Sequence, residues 1–347
     1  MSAGPEFSGL AADTVTTRPS GGRVVRRESS MLKDETTPAD AAVLSHLGAP
    51  RLAAGRVRLR HEVVTAWGFL APTLLLLGLL AAYPLAYAVY LSLTSAQVGI
   101  AGRFIGAENF IRLAHTQIFT LTLWNTVWYT VLAVGIKLVL GLALAVVLAQ
   151  PVPGMRWIRG AVLIPWVAPV SLSVLAWTWM FDSTYSVFNW SLSELGLIGS
   201  PIAWLGIPSL ARFAVVLVNV WCGLPFFAIN FLAGLMTIPR ELHEAATVDG
   251  AGAVGRFRAI TLPLLRPVLA TVLLFSVVMT SSDFATVFVL THGGPINTTQ
   301  VLATLAFKLG LATGDLGQAA AISLYLFPVL VLATIVQVRL MRRTWQW

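Results

Sequence analysis

Residues 121–149 read LTLWNTVWYTVLAVGIKLVLGLALAVVLA, with a single charged side chain, Lys137. A helix of that length spans about 30 Å of hydrocarbon, and a run so poor in charge belongs in a bilayer. Five further apolar segments stand out, at roughly 64–93 (Val64 to Leu93), 158–181, 210–236, 262–290 and 318–340. The sequence therefore predicts an all-α membrane protein with six transmembrane helices.

Composition agrees. The 347 residues are 57% hydrophobic and only 11% charged, where a soluble domain carries about a quarter charged residues. Nine Lys/Arg and seven Asp/Glu fall within residues 1–62, leaving fourteen and eight for the other 285. Residues 1–62, rich in Ser, Thr, Gly and Arg, read as a disordered cytoplasmic tail without the apolar stretch of a signal peptide. Residues 63–347 form the membrane domain. The lone cysteine, Cys222, excludes a disulfide within the chain and reads as a small buried hydrophobe. His46, His61, His115, His243 and His292 form no pair at metal-ligand spacing, so no metal site is expected.

The net charge of +8 raises the question of nucleic acid, but its distribution points elsewhere. Arg51, Arg56, Arg58, Arg60, Arg156, Arg159, Arg240, Arg256, Arg258, Arg266, Arg339, Arg342 and Arg343 fall on one side of the predicted topology. Only Arg103, Arg112, Arg212 and Lys308 fall on the other. This is the positive-inside bias of a multi-pass membrane protein. It places both termini and the 237–262 connection in the cytoplasm, and no nucleic-acid partner is expected.

That connection has the composition of a folded element. Pro239 suits a first helical position. Glu241-Leu242-His243-Glu244-Ala245-Ala246 supplies helix formers with acids in the first turn. Asp249-Gly250-Ala251-Gly252 breaks the helix, and Val254, Phe257 and Ile260 restart an apolar face. Periodicity alone leaves two readings: a piece that docks in a groove of a soluble partner, or an amphipathic helix on the headgroups.

The string EAATVDGAGAVGRFRAITLP, residues 244–263, resembles the coupling motif of ABC importer permeases. Glu244-Ala245-Ala246, Asp249-Gly250-Ala251, Phe257, Ile260, Leu262 and Pro263 all match that pattern. YPLAYAVYLSLT at 83–94, LIPWVAPVSLSVLAWTWMFD at 163–182, VNVWCGLPFFAINFLAGLMTIP at 218–239 and VLTHGGPINTT at 289–299 resemble the carbohydrate importers of the maltose/glycerol-phosphate type. The resemblance, over about residues 64–340, implies the type I ABC importer permease fold, with a cytoplasmic coupling helix between helices 4 and 5. It implies a bacterial inner-membrane location and a second permease subunit in a heterodimer. A dimer of ATP-binding subunits, holding ATP and magnesium, and an extracytoplasmic solute-binding protein complete the implied assembly.

The chain itself carries no phosphate-binding loop, because Lys33, Lys137 and Lys308 are followed by Asp34, Leu138 and Leu309. ATP chemistry is therefore expected on another polypeptide. Glu244 is the expected polar contact to it, beside Ala245, Ala246 and Ala251. Gly250 supplies a left-handed turn. Asp249 either caps the next stretch or touches the partner.

Intramembrane polar groups mark a candidate solute path. Asp283 heads them: its carboxylate can accept sugar hydroxyls beside a stacking Phe284, or it lies at the outer boundary or pairs with the partner subunit. Asn219, Trp221 and Asn230 on the fourth segment are further candidates. Lys137 lines a cavity, snorkels, or pairs with an acid of the partner chain. The resemblance implies a sugar or oligosaccharide as solute, with a glycerol-phosphate-type compound as the alternative, which an anion-binding Lys137 would favour. A transporter working without ATP is the alternative class, and no catalytic cluster of an enzyme is evident.

Overall fold

The computed structural model describes residues 52–344. Residues 1–51 of the tail lie outside the described residues. Residues 52–62, which composition groups with the tail, are already helical. The chain divides into two units, Met1–Leu76 and Leu77–Trp347.

The described residues are helical throughout, with only isolated bridges such as Thr94–Phe104. Helix α1 spans Leu52–Leu77, a π-helical turn covers Gly78–Ala82, and α2 spans Tyr83–Ser92. A short helix, α3 (Glu108–Ala114), precedes the long α4 (Gln117–Leu148). Next come α5 (Met155–Val162), α6 (Ile164–Val167), α7 (Val170–Met180) and α8 (Val187–Glu194). The long α9 spans Pro208–Met236, followed by α10 (Arg240–Val248) and α11 (Ala253–Arg256). A π-helical turn at Phe257–Thr261 leads into α12 (Leu262–Ser281), then α13 (Ala285–Thr291) and α14 (Leu302–Phe307). After a third π-turn at Lys308–Ala312, α15 runs Leu316–Thr344.

Among the described residues, four helical stretches are long and apolar enough to cross a membrane: Thr65–Ser92, Gln117–Leu148, Pro208–Met236 and Ala253–Ser281. The pair Met155–Val167 and Val170–Met180 is long and apolar enough only when taken together, and it is bent by 90°. Pro169 causes the bend. It lacks an N–H, and its ring holds the preceding Ala168 extended at ψ 140°. Leu316–Leu332 is a shorter apolar stretch.

The fifth predicted segment, 262–290, is interrupted. Helix α12 stops at Ser281, and Asp283 Oδ1 accepts the Thr286 N–H at 3.1 Å to start α13. The Asp side chain thus competes with the helical ladder and opens the chain at mid-segment.

The core sits where α4 and α9 run together, the most extensive helix pair in the fold. Every fourth residue of α4 is buried: Asn125, Tyr129, Ala133, Lys137, Gly141 and Ala145. That spacing makes one ridge along the helix. Phe227 and Phe231 of α9 and Val272 of α12 belong to one cluster of this core. Tyr129, Val174, Phe181, Val215, Val218 and Val287 belong to a second.

Candidate functional site

Two sites emerge, one between the core helices and one on the elbow before α12.

The first centres on Asp283, at the break between α12 and α13. Its Oδ2 accepts the Tyr129 hydroxyl at 2.7 Å and the Asn219 Nδ2 at 2.8 Å. Lys137 donates to Asn219 Oδ1 at 2.9 Å and to Thr280 Oγ1 at 2.9 Å. Lysine can only donate and a carboxylate can only accept, so the Asn219 amide must point its oxygen at Lys137 and its nitrogen at Asp283. The amide bridges cation and anion. Lys137 is only 4% exposed. A lone lysine at bilayer depth costs roughly 2.5–3.5 kcal/mol on insertion scales, and this bridge offsets part of that cost. The ammonium also lies 5.8 Å from the centre of the Phe227 ring, a favourable cation–π position.

Gly223 makes room for the lysine. A Cβ there would sit 2.8 Å from Lys137 Cδ. These groups line a cavity of about 360 Å³, together with Trp166, Cys222, Phe226, Ser276 and Met279. The lining follows helical periodicity. Asn219, Cys222, Gly223 and Phe226 form one stripe of α9, and Ser276, Met279, Thr280 and Asp283 form another on and just beyond α12.

The structure brings Asp283, Asn219 and Lys137 together, but not the other intramembrane candidates. Phe284 stacks on Phe288 at 4.8 Å and packs against Phe307 at 5.0 Å, within an aromatic group away from the cavity lining. Trp221, two residues from Asn219, is turned about 200° around α9 and meets Trp177 edge-on at 5.5 Å. Asn230 donates to the Phe226 carbonyl of its own helix at 2.7 Å. Tyr129, Thr280, Gly223 and Thr286 are the participants that the sequence reading did not single out. Spacings of four or eight residues, Tyr129 to Lys137 on α4, Asn219 to Gly223 on α9 and Ser276 to Thr280 on α12, are the signal that points to the first three.

The second site is the elbow. Pro239 is extended at ψ 135° and stands just before α10 rather than at its first position. Gly250 follows the helix at φ 79°. The Ala251 N–H closes back on the Ala246 carbonyl at 2.8 Å, and the Gly250 N–H on that of Thr247 at 3.0 Å, a Schellman-type end. Arg256 then stitches the turn, donating to Thr247 Oγ1 at 2.9 Å and to the Ala251 carbonyl at 3.0 Å. Helix α11 begins after Gly252 with no side-chain cap, so Asp249 does not fill that role. The elbow exposes Leu242, Val248 and Val254. Glu244, Ala245, Asp249 and Gly250 are exposed, while Ala246 and Ala251 are half-buried.

Comparison with known proteins places this arrangement. Residues 137–346 match the family model for the binding-protein-dependent transport system inner membrane component. The chain belongs to that family. It is accordingly a multi-pass membrane component of a transport system, not an enzyme. It is 39% identical over 239 residues to the trehalose/maltose transport system permease protein MalF of Thermococcus litoralis, covering 69% of this chain and 80% of that protein. It is also 39% identical over 279 residues to the sulfoquinovosyl glycerol transport system permease protein SmoG of Agrobacterium fabrum, covering 79% and 89%. Among solved structures it shares the fold of a chain from a bacterial ABC transporter involved in the import of the acidic polysaccharide alginate. The TM-score is 0.71 at 22% identity, with 82% of this chain and 99% of that chain covered.

Proposed function

We propose that this membrane component is one permease of an ATP-driven importer that carries a carbohydrate or related polyol across the inner membrane. A second permease chain completes the pathway in a heterodimer. A cytoplasmic dimer of ATP-binding subunits, which holds the ATP and magnesium, drives it, and an extracytoplasmic binding protein delivers the solute. In this reading α15 is the sixth span, both termini are cytoplasmic, and the break at Ala168–Pro169 lies within the third span.

The observation that carries the reading is the elbow. It is pre-formed by Gly250 and Arg256, faces outward, and exposes Leu242, Val248 and Val254 beside the unpaired carboxylates of Glu244 and Asp249. Exposed apolar side chains with acidic neighbours fit a groove on a soluble partner that supplies a basic residue. Ala245, Ala246 and Ala251 let the two backbones approach closely. Closure of the ATPase dimer would push this elbow, and α12 passes the motion to the break at Asp283. The buried polar cluster at that break is the proposed solute path. The sugar-transport names of both relatives support a carbohydrate, and family membership favours this mechanism over an ATP-independent carrier.

Co-expression with the neighbouring transport genes tests the assembly. The expected result is co-purification with an ATPase and a second permease, and uptake that needs both ATP and the binding protein. Uptake by this chain alone would overturn the proposal.

A further inference from the structure

The names of the two relatives leave both uncharged and sulfonated glycosides open as solutes. The cavity at Asp283 separates these classes. It holds one cation and one anion, and both are engaged with each other's bridge. Lys137 donates two of its three N–H bonds to Asn219 Oδ1 and Thr280 Oγ1. Asp283 accepts three donors, from Tyr129, Asn219 and the Thr286 backbone. Gly223 leaves the space that the lysine stem occupies, since a side chain there would collide with Lys137 Cδ. The remaining polar lining consists of neutral groups, Ser276, Thr280 and Thr286, beside the apolar walls of Trp166, Phe226 and Phe275. Hydroxyl donors and acceptors next to aromatic faces suit a polyhydroxyl ring. An anionic solute would enter a cavity where the Lys137 charge is balanced by Asp283 and two of the three lysine donors are already given to the bridge, and its own charge would go largely unmatched.

We propose that the Lys137–Asn219–Asp283 bridge makes this cavity selective for an uncharged polyhydroxyl solute over its carboxylated or phosphorylated derivative. This rests on the cavity being the solute path. Lys137 and Asp283 act as specificity-determining residues by balancing each other, and Asn219 and Gly223 position them.

Cys222, the sole cysteine of the chain and one of the lining residues, provides the readout. The assembled transporter in nanodiscs is treated with N-ethylmaleimide, and modification of the Cys222 peptide is followed by mass spectrometry. The added solutes are uncharged mono-, di- and trisaccharides, each paired with its uronate and phosphate derivatives. In the wild type an uncharged member should slow modification at a concentration at least about tenfold lower than its charged partner requires. Asp283→Asn frees the lysine charge, and the charged partner should then gain roughly tenfold to hundredfold relative to the uncharged one, the range expected for one charge-assisted hydrogen bond. Lys137→Gln should give no such gain. Equal or better protection by the charged member in the wild type would overturn the charge-balance inference while leaving the cavity as the path. Protection by neither class would overturn both together.

Discussion

The Tyr129 hydroxyl donates to Asp283 Oδ2 at 2.7 Å, joining residues 154 positions apart. Tyr129 is 2% exposed, and its bond to the half-buried Asp283 at the cavity edge fixes the end of α12 against α4. The helix break at Asp283 is thus held from two sides, by its own local bond to Thr286 and by a remote ring.

Tyr129→Phe keeps the ring and deletes the donor. A hydrogen bond to a charged group contributes about 1.5–3 kcal/mol, and the assembled transporter should unfold at a lower temperature by a corresponding amount. Uptake should fall roughly tenfold, with membrane abundance little changed. Thermal unfolding in detergent beside an uptake assay measures both, and unchanged values in both would argue against Asp283 as the anchor of the break.

Gly223→Ala places a Cβ in the space of Lys137 Cδ, 2.8 Å away. The ammonium must withdraw from Asn219 Oδ1, so uptake should drop by tenfold or more. The decisive form is a double-mutant cycle. With Lys137→Ala already present, the added Gly223→Ala change should be close to neutral, because the collision has gone. Additive losses would mean that Gly223 matters for another reason.

Much of this was legible in the residues. Long uncharged runs overlap the four stretches able to cross a membrane, while the predicted third segment is a bent pair and the predicted sixth falls on a shorter apolar stretch. The helix formers around Glu244 with the Asp249–Gly252 break located the elbow. The bridge was not legible, because its members lie on three elements: Lys137 is 82 residues from Asn219 and 143 from Thr280. Adjacency in sequence also misled. Phe284 follows Asp283, yet the break between α12 and α13 sends it to Phe288 and Phe307. The 90° bend at Pro169 was visible as a proline, but its angle depends on packing that spacing does not encode.

Asp182, just beyond α7, accepts the N–H groups of Tyr185 at 2.8 Å and Thr184 at 2.7 Å. These two bonds hold its carboxyl below the usual carboxylate range. A depressed folded value means that the turn's contribution is present above the ordinary Asp range. It is lost only as the pH falls through the lower, folded value. At neutral pH Asp182→Asn should therefore speed amide exchange at Thr184 and Tyr185, while mild acidification to pH 5 should leave the wild type unchanged. Exchange detected by mass spectrometry on peptides covering residues 183–190, with wild type and variant compared at each fixed pH, checks both arms.

Gly250 sits at φ 79° with open space around its Cα. A Cβ added there meets no neighbour within the chain, so any effect on the elbow's own shape comes from the backbone. A β-branched residue in the left-handed region costs on the order of 1–2 kcal/mol. Gly250→Val should therefore open the Ala251–Ala246 and Gly250–Thr247 closures and reorient α10 relative to α12. The span itself is untouched, so the protein should reach the membrane in normal amount. Co-purification with the ATPase should weaken, and uptake should fall by tenfold or more. Gly250→Asn, which tolerates the left-handed region better, should restore a large part of both. Normal uptake by Gly250→Val would remove the elbow from the route by which force reaches the membrane helices.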